Sequence, residues 1–306
     1  SGLIRDAAGH VLISTVRWGR TTWDELIGGE IRPIAQRDVA LTSENQPFAF
    51  RDGSHLKAIG EESITYIDAG GSESRIAVAR EDSPLTVFSL CAGAGKIWGG
   101  TFIPLTLFAF DPATGTSRGY GNPTKTGGEI YNLVFSGGKL YMASYTGATI
   151  TRYDPARPWR KDDSIHANPA HLGRIKAEGL FLQRPHGKAV DPAGRVYFAA
   201  HGGYGCYDSG ICRIDPATDE MTSWLYPRTT FGALIHLGAT RQLLVSERRM
   251  GETGLRFTLI SPEDGLVLWS ELVIADEGGV ISWLDSGDDL VFGMHAYRAT
   301  LFAFSL

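Results

Sequence analysis

The sequence has little net charge and no long hydrophobic run. Its 306 residues carry a net charge of −5, with a pI of about 5.9. Such a balance argues against nucleic acid or an anionic membrane surface as the main partner. No apolar stretch approaches the ~20 residues that a membrane-spanning helix needs. We therefore expect no nucleic-acid partner and no membrane span.

The motifs of several large enzyme classes are also missing. The chain has no Gly-x-Gly-x-x-Gly leading into a helix, no P-loop, no Gly-x-Ser-x-Gly and no His-Glu-x-x-His. Its eight histidines do not have the short spacing of metal ligands. The sequence therefore requires no cofactor and predicts no metal site, although histidines from separate parts of the chain could still meet around a divalent metal.

Cysteine is sparse, with three residues in the chain. Cys206 and Cys212 are expected to bracket a loop, where a disulfide would be geometrically feasible and would fit an exported protein. Two unpaired thiols fit the sequence equally well. Cys91 lies in an apolar run and is predicted to be a buried small hydrophobe. The chain begins Ser-Gly without Met, so we expect a processed, secreted or periplasmic protein whose signal peptide is not part of this sequence.

A phrase that recurs after 43 residues organises the chain. From Lys96 to Lys139 is 43 residues, and from Asp111 to Asp154 is also 43. Each copy combines an aromatic-rich, strand-like run with an Asp-Pro-Ala turn, in which Pro fixes φ for the second turn position. A fixed period in this range indicates a repeat architecture, and four strands per period make one blade of a β-propeller.

Seven such units account for the whole length. The sequence therefore predicts an all-β fold, a seven-bladed β-propeller with four-stranded antiparallel blades in a single domain of residues 1–306. The last blade is expected to be incomplete, because the chain ends on its third strand. The predicted blades cover approximately residues 1–35, 36–83, 84–120, 121–177, 178–226, 227–273 and 274–306.

Three stretches depart from the simple repeat. The first blade is weakly patterned, and its third and fourth strands are predicted at 23–27 and 30–34. The first strand of the second blade is predicted at 47–50. The segment 158–170 is an insertion, because 61 residues rather than 43 separate Asp154 from Asp215. It is polar and contains several prolines, and we interpret it as a solvated surface loop rather than a partner site.

One face of the propeller concentrates polar and aromatic side chains. In a propeller the starts of the first strands and the exits of the second strands open on the same face, around the central funnel. The exits of the second strands carry Phe102, Tyr145, His201, Arg248 and His295, with Thr101 and Glu247 one position earlier. The first-strand starts add Glu129, Tyr131, Asn132, Arg184 and His186, and Tyr297 closely follows His295.

These residue types suit proton transfer beside a carboxylate. Histidine can take or give a proton near neutral pH, and tyrosine can return a proton to a leaving oxygen. Arginine neutralises a carboxylate and so acidifies the adjacent C–H bond. Together they are the parts of β-elimination from a uronic acid. Hydrolysis would instead need two carboxylates across the scissile bond, for which Glu129 and Glu247 are the candidates. Each residue also has a structural interpretation, such as a His295–Glu247 contact.

Residues 184–198, Arg-Pro-His-Gly-Lys-Ala-Val-Asp-Pro-Ala-Gly-Arg-Val-Tyr-Phe, resemble the repeat of streptogramin B lyase and NHL-type propellers. The Asp-Pro-Ala turns are similar to those of the wider seven-bladed class. Several polysaccharide-lyase families have a similar architecture with His, Tyr and Arg in the funnel. The resemblance implies a lyase in which His201 or His186 is the base and Tyr145 or Tyr131 the acid. Arg248 or Arg184 would face the substrate carboxylate.

We therefore predict a carbohydrate-active enzyme, a lyase acting on a uronate-containing poly- or oligosaccharide. Two alternatives remain open: a glycoside hydrolase on the same face, and a non-catalytic propeller whose funnel holds a ligand or a protein partner. The predicted substrate contacts, beside the catalytic residues above, are Arg184, Glu247, His295, Tyr297, Asn132 and Thr101.

Overall fold

The structure is a computed structural model in which every element is a β-strand. It describes residues 2–5, 11–17, 20–27, 30–34, 52–59, 63–77, 86–162, 164, 166–175, 182–203, 205–275, 279–285, 290–295 and 300–305. No helix long and apolar enough to cross a membrane occurs in this part of the chain. The chain forms two compact units, Ser1–Ser83 and Pro84–Leu306.

Among its described residues, the first unit contains two antiparallel sheets. Strands β1 to β4 form a four-stranded sheet in chain order, and β5 to β7 form a three-stranded one. The strands predicted at 23–27 and 30–34 are present, the former starting three residues earlier, whereas the strand predicted at 47–50 lies outside the described residues. The strands are β1 (Gly2–Arg5), β2 (Val11–Arg17), β3 (Arg20–Ile27), β4 (Glu30–Ile34), β5 (His55–Ile59), β6 (Ser63–Ile67) and β7 (Glu73–Ala77).

The second unit contains five antiparallel sheets, four with four strands and the last with three. The first four sheets comprise β8 (Val87–Gly93), β9 (Lys96–Thr101), β10 (Leu107–Asp111), β11 (Thr116–Gly121), β12 (Ile130–Ser136), β13 (Lys139–Ser144), β14 (Thr149–Tyr153), β15 (Ala170–Arg174), β16 (Leu182–Val190), β17 (Val196–Gly202), β18 (Asp208–Ile214), β19 (Met221–Pro227), β20 (Thr229–His236), β21 (Leu243–Arg249), β22 (Leu255–Ile260) and β23 (Val267–Ile274). The last sheet comprises β24 (Val280–Asp285), β25 (Leu290–His295) and β26 (Thr300–Ser305).

The first strands β8, β12, β16, β20 and β24 contact one another in succession, as the inner strands of neighbouring propeller blades do. The core lies between the blades, in four apolar clusters that each join two successive sheets. Strand β13 shows why the sequences of these strands are continuous runs of apolar residues. Tyr141 enters the cluster on one side, and Leu140 and Met142 enter the cluster on the other. Successive side chains of a strand point to opposite faces, and here both faces are covered.

The recurring Asp-Pro-Ala turns share one hydrogen bond. In each, the aspartate carboxylate accepts the backbone N–H two residues on, an Asx-turn that satisfies a donor which the strand ladder leaves free. The proline between the two residues has no N–H group, so no backbone hydrogen bond is lost at that position. The four bonds are Ala113 N to Asp111 (3.0 Å), Ala156 N to Asp154 (2.9 Å), Ala193 N to Asp191 (3.0 Å) and Ala217 N to Asp215 (2.8 Å).

The insertion is more ordered than a solvated loop. Asn168 is buried, and its amide donates to the carbonyl oxygens of Asp154, Arg157 and Pro158 at 2.8 to 3.1 Å. Trp159 packs against Tyr153, with 5.2 Å between ring centroids. Residues 158, 160, 161, 164 and 166 are exposed, as predicted, whereas residues 167–169 are buried. The interpretation as a fully solvated loop is therefore wrong for residues 167–169, where the buried amide of Asn168 satisfies carbonyl groups at the start of the insertion.

The cysteines are three free thiols. Cys206 is exposed in a loop, but Cys212 is buried on β18, so the predicted loop between them is mostly strand. The reason is that Asp208–Ile214 pairs with both β17 and β19. Cys91 is half-buried rather than fully buried and packs against a core cluster, where burial raises the pKa of its thiol to about 11.

Candidate functional site

Three successive blades of the second unit place rings at two equivalent positions. The first position is a β-bulge near the start of each inner strand. Phe88 is the extra residue in β8 and Tyr131 the extra residue in β12. In β16, Pro185 and His186 together face a single residue of β17. A bulge leaves its extra residue without a ladder partner and re-aims the side chain. The second position follows the second strand of each blade or lies near its end.

The resulting ring cluster consists of six side chains in three pairs. Within the blades the centroids lie 5.6 Å apart for Phe88–Phe102, 6.4 Å for Tyr131–Tyr145 and 4.9 Å for His186–His201. Between blades, Tyr131 meets Phe88 at 4.8 Å and His186 at 4.9 Å, both edge to face. The chemistry changes in order along the cluster, from phenyl through phenol to imidazole.

The two histidines are stacked, with an interplanar angle of 3°. The Nδ1–H of His201 donates to the carbonyl oxygen of Gly202 at 2.5 Å. A carbonyl can only accept, so in the neutral ring the lone pair lies on Nε2. One hydrogen bond thus fixes the tautomer of His201.

The surroundings of both imidazoles lower their pKa and so favour the neutral rings. His186 keeps part of its ring open to solvent, but desolvation by the surrounding protein, followed by the charges of His201 and Arg184, lowers its pKa to about 4. Burial also lowers the pKa of His201. Its bond to Gly202 opposes that shift, and the charges of Arg184 and Arg248 add to it. Each ring can therefore accept a proton near neutral pH.

Arg184 and Glu129 lie beside the tyrosines. The Arg184 guanidinium lies over the Tyr145 ring, 5.9 Å from its centroid. Glu129 is buried, and its Oε2 has no hydrogen-bond partner among the described residues. Burial raises the pKa of its carboxyl group, while the charge of Arg184 acts in the opposite direction. The site therefore holds one cation and one partly desolvated carboxyl group beside its phenols.

Glycine at position 128 lets Tyr145 approach the preceding loop. Gly128 has φ of +105°, and a Cβ there would lie 2.6 Å from the Tyr145 carbonyl oxygen and 2.7 Å from its Cδ1. No other residue type allows both this conformation and this contact. Tyr145 is also held by its backbone N–H, which donates to the Glu129 carbonyl at 3.0 Å.

Two further predicted residues border the ring cluster. The side-chain amide of Asn132 donates to the carbonyl oxygen of Pro185 at 2.5 Å, which joins β12 to β16 directly before His186. Arg248 is exposed on β21, and its charge contributes to the lowered pKa of His201. Asn132 therefore positions the histidine strand, and Arg248 lies beyond the histidine end.

Thr101 is not brought to the ring cluster. Its hydroxyl donates to Pro104 O at 2.6 Å and accepts the N–H of Thr106 at 2.9 Å, so it closes the turn after β9. Its side chain is buried in that turn.

Glu247 belongs to a separate pocket. It is 2% exposed, its Oε1 accepts from Arg249 Nε at 2.6 Å, and its Oε2 is bonded by Thr258. The pocket is lined also by Tyr226, Arg249 and Met250. Glu247 and Arg248 are neighbours on one strand, so their side chains point to opposite faces.

His295 is buried, and neither of its ring nitrogens has a hydrogen-bond partner among the described residues. The His295–Glu247 contact is not formed, because both oxygens of Glu247 are already bonded within its own blade. Tyr297 lies outside the described residues. No group of three His, Cys, Asp or Glu side chains that could hold a metal occurs in the described ranges.

Two residues of the site were not predicted from the sequence. Phe88 stands 43 residues before Tyr131, so the repeat period itself could have identified it. Gln183 is buried, and its Oε1 accepts the N–H of Gly147 at 2.9 Å, which holds the loop after Tyr145 against β16. Nothing in the sequence pattern marks Gln183.

No family model matches the chain, and no curated protein matches it. Several solved structures are similar to the chain, each at low sequence identity. The hydrazine synthase of Kuenenia stuttgartiensis is similar with a TM-score of 0.54 at 12% identity, over 89% of this chain and 80% of that one. The extracellular domain of a hybrid two-component system protein of B. thetaiotaomicron has a TM-score of 0.50 at 12% identity, over 99% of this chain and 37% of that one. YCF48 bound to D1 peptide has a TM-score of 0.47 at 14% identity, over 97% and 90%.

Such identities show the fold alone. The chain is an all-β protein with seven antiparallel sheets among its described residues, and it is a β-propeller. The fold class predicted from the repeat is confirmed. A propeller fold hosts many functions, so function has to be argued from the site.

Proposed function

We propose that the ring cluster is the active site of a lyase that cleaves a uronate-containing poly- or oligosaccharide by β-elimination. The observation that carries the proposal is the stacked His186–His201 pair in contact with Tyr131, beside a second phenol and an arginine. The similarity of residues 184–198 to lyase propellers supports it, since that segment contains both Arg184 and His186.

The first step needs a base for the proton on the carbon next to the uronate carboxylate. His201 offers the Nε2 lone pair in a fixed tautomer, and His186 is the second candidate. The proton moves to the imidazole nitrogen, and the electron pair of the C–H bond is held as the enediolate of the carboxylate until the C–O bond breaks, when it forms the new C=C bond. A neutral imidazole suits this role because it needs no prior loss of a proton.

The carboxylate must be neutralised for that proton to be acidic. Arg184 lies over Tyr145, and the charge of Arg248, on a strand of the next blade, acts on His201. A guanidinium donates two parallel N–H bonds to a carboxylate, which stabilises the negative charge that develops there.

The second step breaks the glycosidic C–O bond, and its electron pair leaves with the oxygen. Tyr145 or Tyr131 donates the proton that this oxygen needs. The Arg184 charge over the Tyr145 ring stabilises the phenolate left behind. The products are a shortened sugar and an unsaturated uronate, so the atoms balance without any external reagent.

Hydrolysis fits this site less well. A glycoside hydrolase needs two carboxyl groups about 5–10 Å apart across one bond. Glu129 is beside Arg184, but Glu247 is bonded to Arg249 and Thr258 in the separate pocket. The ring cluster therefore has one candidate carboxyl group among the described residues.

The test is the ultraviolet absorbance of an unsaturated uronate after incubation with a panel of uronate-containing polysaccharides and oligosaccharides. A rise with one substrate class is expected. Reducing ends without unsaturation would establish the hydrolase alternative instead. Binding without either product would leave a non-catalytic propeller that holds a carbohydrate.

Replacing Gly128 by alanine is expected to lower kcat about 10- to 100-fold, since the new Cβ would push Tyr145 away from its present position. The matched control is Gly127→Ala, where a Cβ would meet nothing within 4 Å. Initial rates of product absorbance for both variants check the prediction. Equal rates would show that the position of Tyr145 does not matter for the chemistry.

The acid limb of kcat/KM is expected below the usual histidine pKa of about 6.5, and near pH 4 where His186 is the base. The reason is that the lowered pKa keeps the histidine base neutral to more acidic pH. The Arg184 charge contributes to this shift, so Arg184→Gln should move the limb upward. An unmoved limb in that variant would contradict histidine as the titrating base.

A further inference from the structure

We infer that Phe88 and Phe102 form a stacking subsite for the pyranose ring next to the cleaved uronate. The inference rests on the proposed function for the position of the uronate. The two phenyl rings are the third pair of the ring cluster, at the positions that the tyrosines and histidines occupy in the next two blades.

The phenyl pair is open to solvent. Phe88 and Phe102 are each 42% exposed, although large aromatic side chains are usually buried. Single exposed apolar residues need no explanation, but a contiguous exposed patch marks an interaction site. Here the two rings touch each other, and Phe88 contacts Tyr131 edge to face. The patch is therefore continuous with the proposed catalytic groups.

Neither phenyl ring can take part in elimination, because it has no proton to give and no lone pair to accept one. What it offers is a flat apolar surface. A pyranose ring presents C–H groups on its faces and hydroxyl groups around its edge. It can therefore pack on an aromatic ring while its hydroxyls remain hydrated, in the way that pockets combine apolar walls with few polar groups.

The order of the pairs also gives the substrate a direction. Arg248 and the histidines lie at one end, where the carboxylate and the acidic C–H would be. The tyrosines follow, where the leaving oxygen needs its proton, and the phenyl pair comes after them. The sugar on the leaving-group side of the cleaved bond is therefore the one that would reach Phe88 and Phe102.

The experiment separates binding from chemistry. Pectin-, alginate- and glycosaminoglycan-derived oligosaccharides of two to six residues are titrated into the wild type and into the Phe88→Ala and Phe102→Ala variants, both alone and combined with His201→Ala. The single variants are expected to raise KM about tenfold for oligosaccharides that reach the phenyl pair, with kcat unchanged. Phe102→Trp should restore the wild-type KM, because it keeps an aromatic face. Leu301→Ala, a 71% exposed apolar position on the last blade, is the control.

The outcomes distinguish the two proposals. If the wild type forms product and the phenylalanine variants keep its KM for every chain length, the subsite is overturned and the lyase stands. If the wild type forms no product, but the phenylalanine variants weaken oligosaccharide binding, the subsite stands and the lyase fails. Loss of affinity in Leu301→Ala equal to that in Phe88→Ala would also overturn the subsite, as would the absence of oligosaccharide binding. Thermal melts confirm that each variant is folded, and Phe102→Ala provides the test if Phe88→Ala is not.

Discussion

Replacing His201 by alanine is expected to lower kcat for uronate cleavage about 10²- to 10⁴-fold, because it removes the base with the fixed Nε2 lone pair. The melting temperature is expected to stay nearly unchanged. His201 is only half-buried, and its side chain makes one hydrogen bond, to the next residue in the chain. Product absorbance and a thermal melt on the same preparation measure both quantities.

Two further variants are compared with His201→Ala to interpret its effect. His186→Ala removes the stacking partner, and comparing the two rates decides which ring is the base and which one positions it. His166→Ala removes an exposed histidine at the tip of the insertion and should behave as the wild type. If both His186→Ala and His201→Ala kept full activity, the histidine pair would have no part in catalysis, and the proposed mechanism would be wrong.

Replacing Asp191 by alanine is expected to lower the free energy of unfolding by about 3–5 kcal/mol, the largest stability effect that we predict. Its carboxylate accepts the N–H groups of Ala193 and Arg195, the Arg195 guanidinium and the Tyr197 hydroxyl, at 2.5 to 3.0 Å. Asp191 and Tyr197 are buried, so alanine would leave the Tyr197 hydroxyl without its partner and without water, and it would remove one of the two carboxylates that bind Arg195. Denaturant or thermal unfolding measures the loss.

Asp215→Ala is the matched control. It removes the same Asx-turn bond from the same kind of Asp-Pro-Ala turn, but Asp215 is exposed, so water can replace the lost acceptor. Its effect should be much smaller. An equal loss in both variants would show that the turn bond, rather than the buried network, dominates.

The Asp191 network also predicts how stability depends on pH. Burial alone would raise the pKa of this carboxyl group, but the hydrogen bonds from Arg195 and Tyr197 outweigh it and lower the pKa below 3.8. The folded state then binds fewer protons than the unfolded state near that pH. The stabilisation is therefore present above the unfolded pKa and is lost as the pH falls through the folded one. Asp191→Asn should remove this part of the acid sensitivity.

The fold could be predicted because the same turn residues and the same apolar strand patterns recur in successive repeats. An Asp-Pro-Ala turn requires the same residues wherever it occurs, and a blade buried on both faces needs apolar residues such as Leu140 to Ala143 at every position. Register then located the ring cluster, since equivalent positions in neighbouring blades lie side by side. His186, His201, Tyr131 and Tyr145 were placed together for this reason.

The other features of the site and of the insertion could not be predicted, because the 43-residue repeat does not determine the contacts of single side chains. Whether Glu247 or its neighbour Arg248 faces the ring cluster depends on the phase of one strand, and a shift of one residue exchanges the two faces. The sequence pattern predicts a ligand-facing hydroxyl at Thr101, but its partners are backbone groups of the turn at residues 101–106. The ends of the insertion are held by one buried amide, which no compositional pattern reveals.

The bulges in the inner strands have a consequence for how such a site can change. A residue with no partner across the ladder can be exchanged without altering cross-strand pairing, so its side chain is constrained by the surface it faces and by little else. In this chain the same backbone position carries phenylalanine in one blade, tyrosine in the next and histidine in the third. A propeller of this kind can therefore acquire a new arrangement of reactive groups by single substitutions at three points, while the sheets that carry them stay the same.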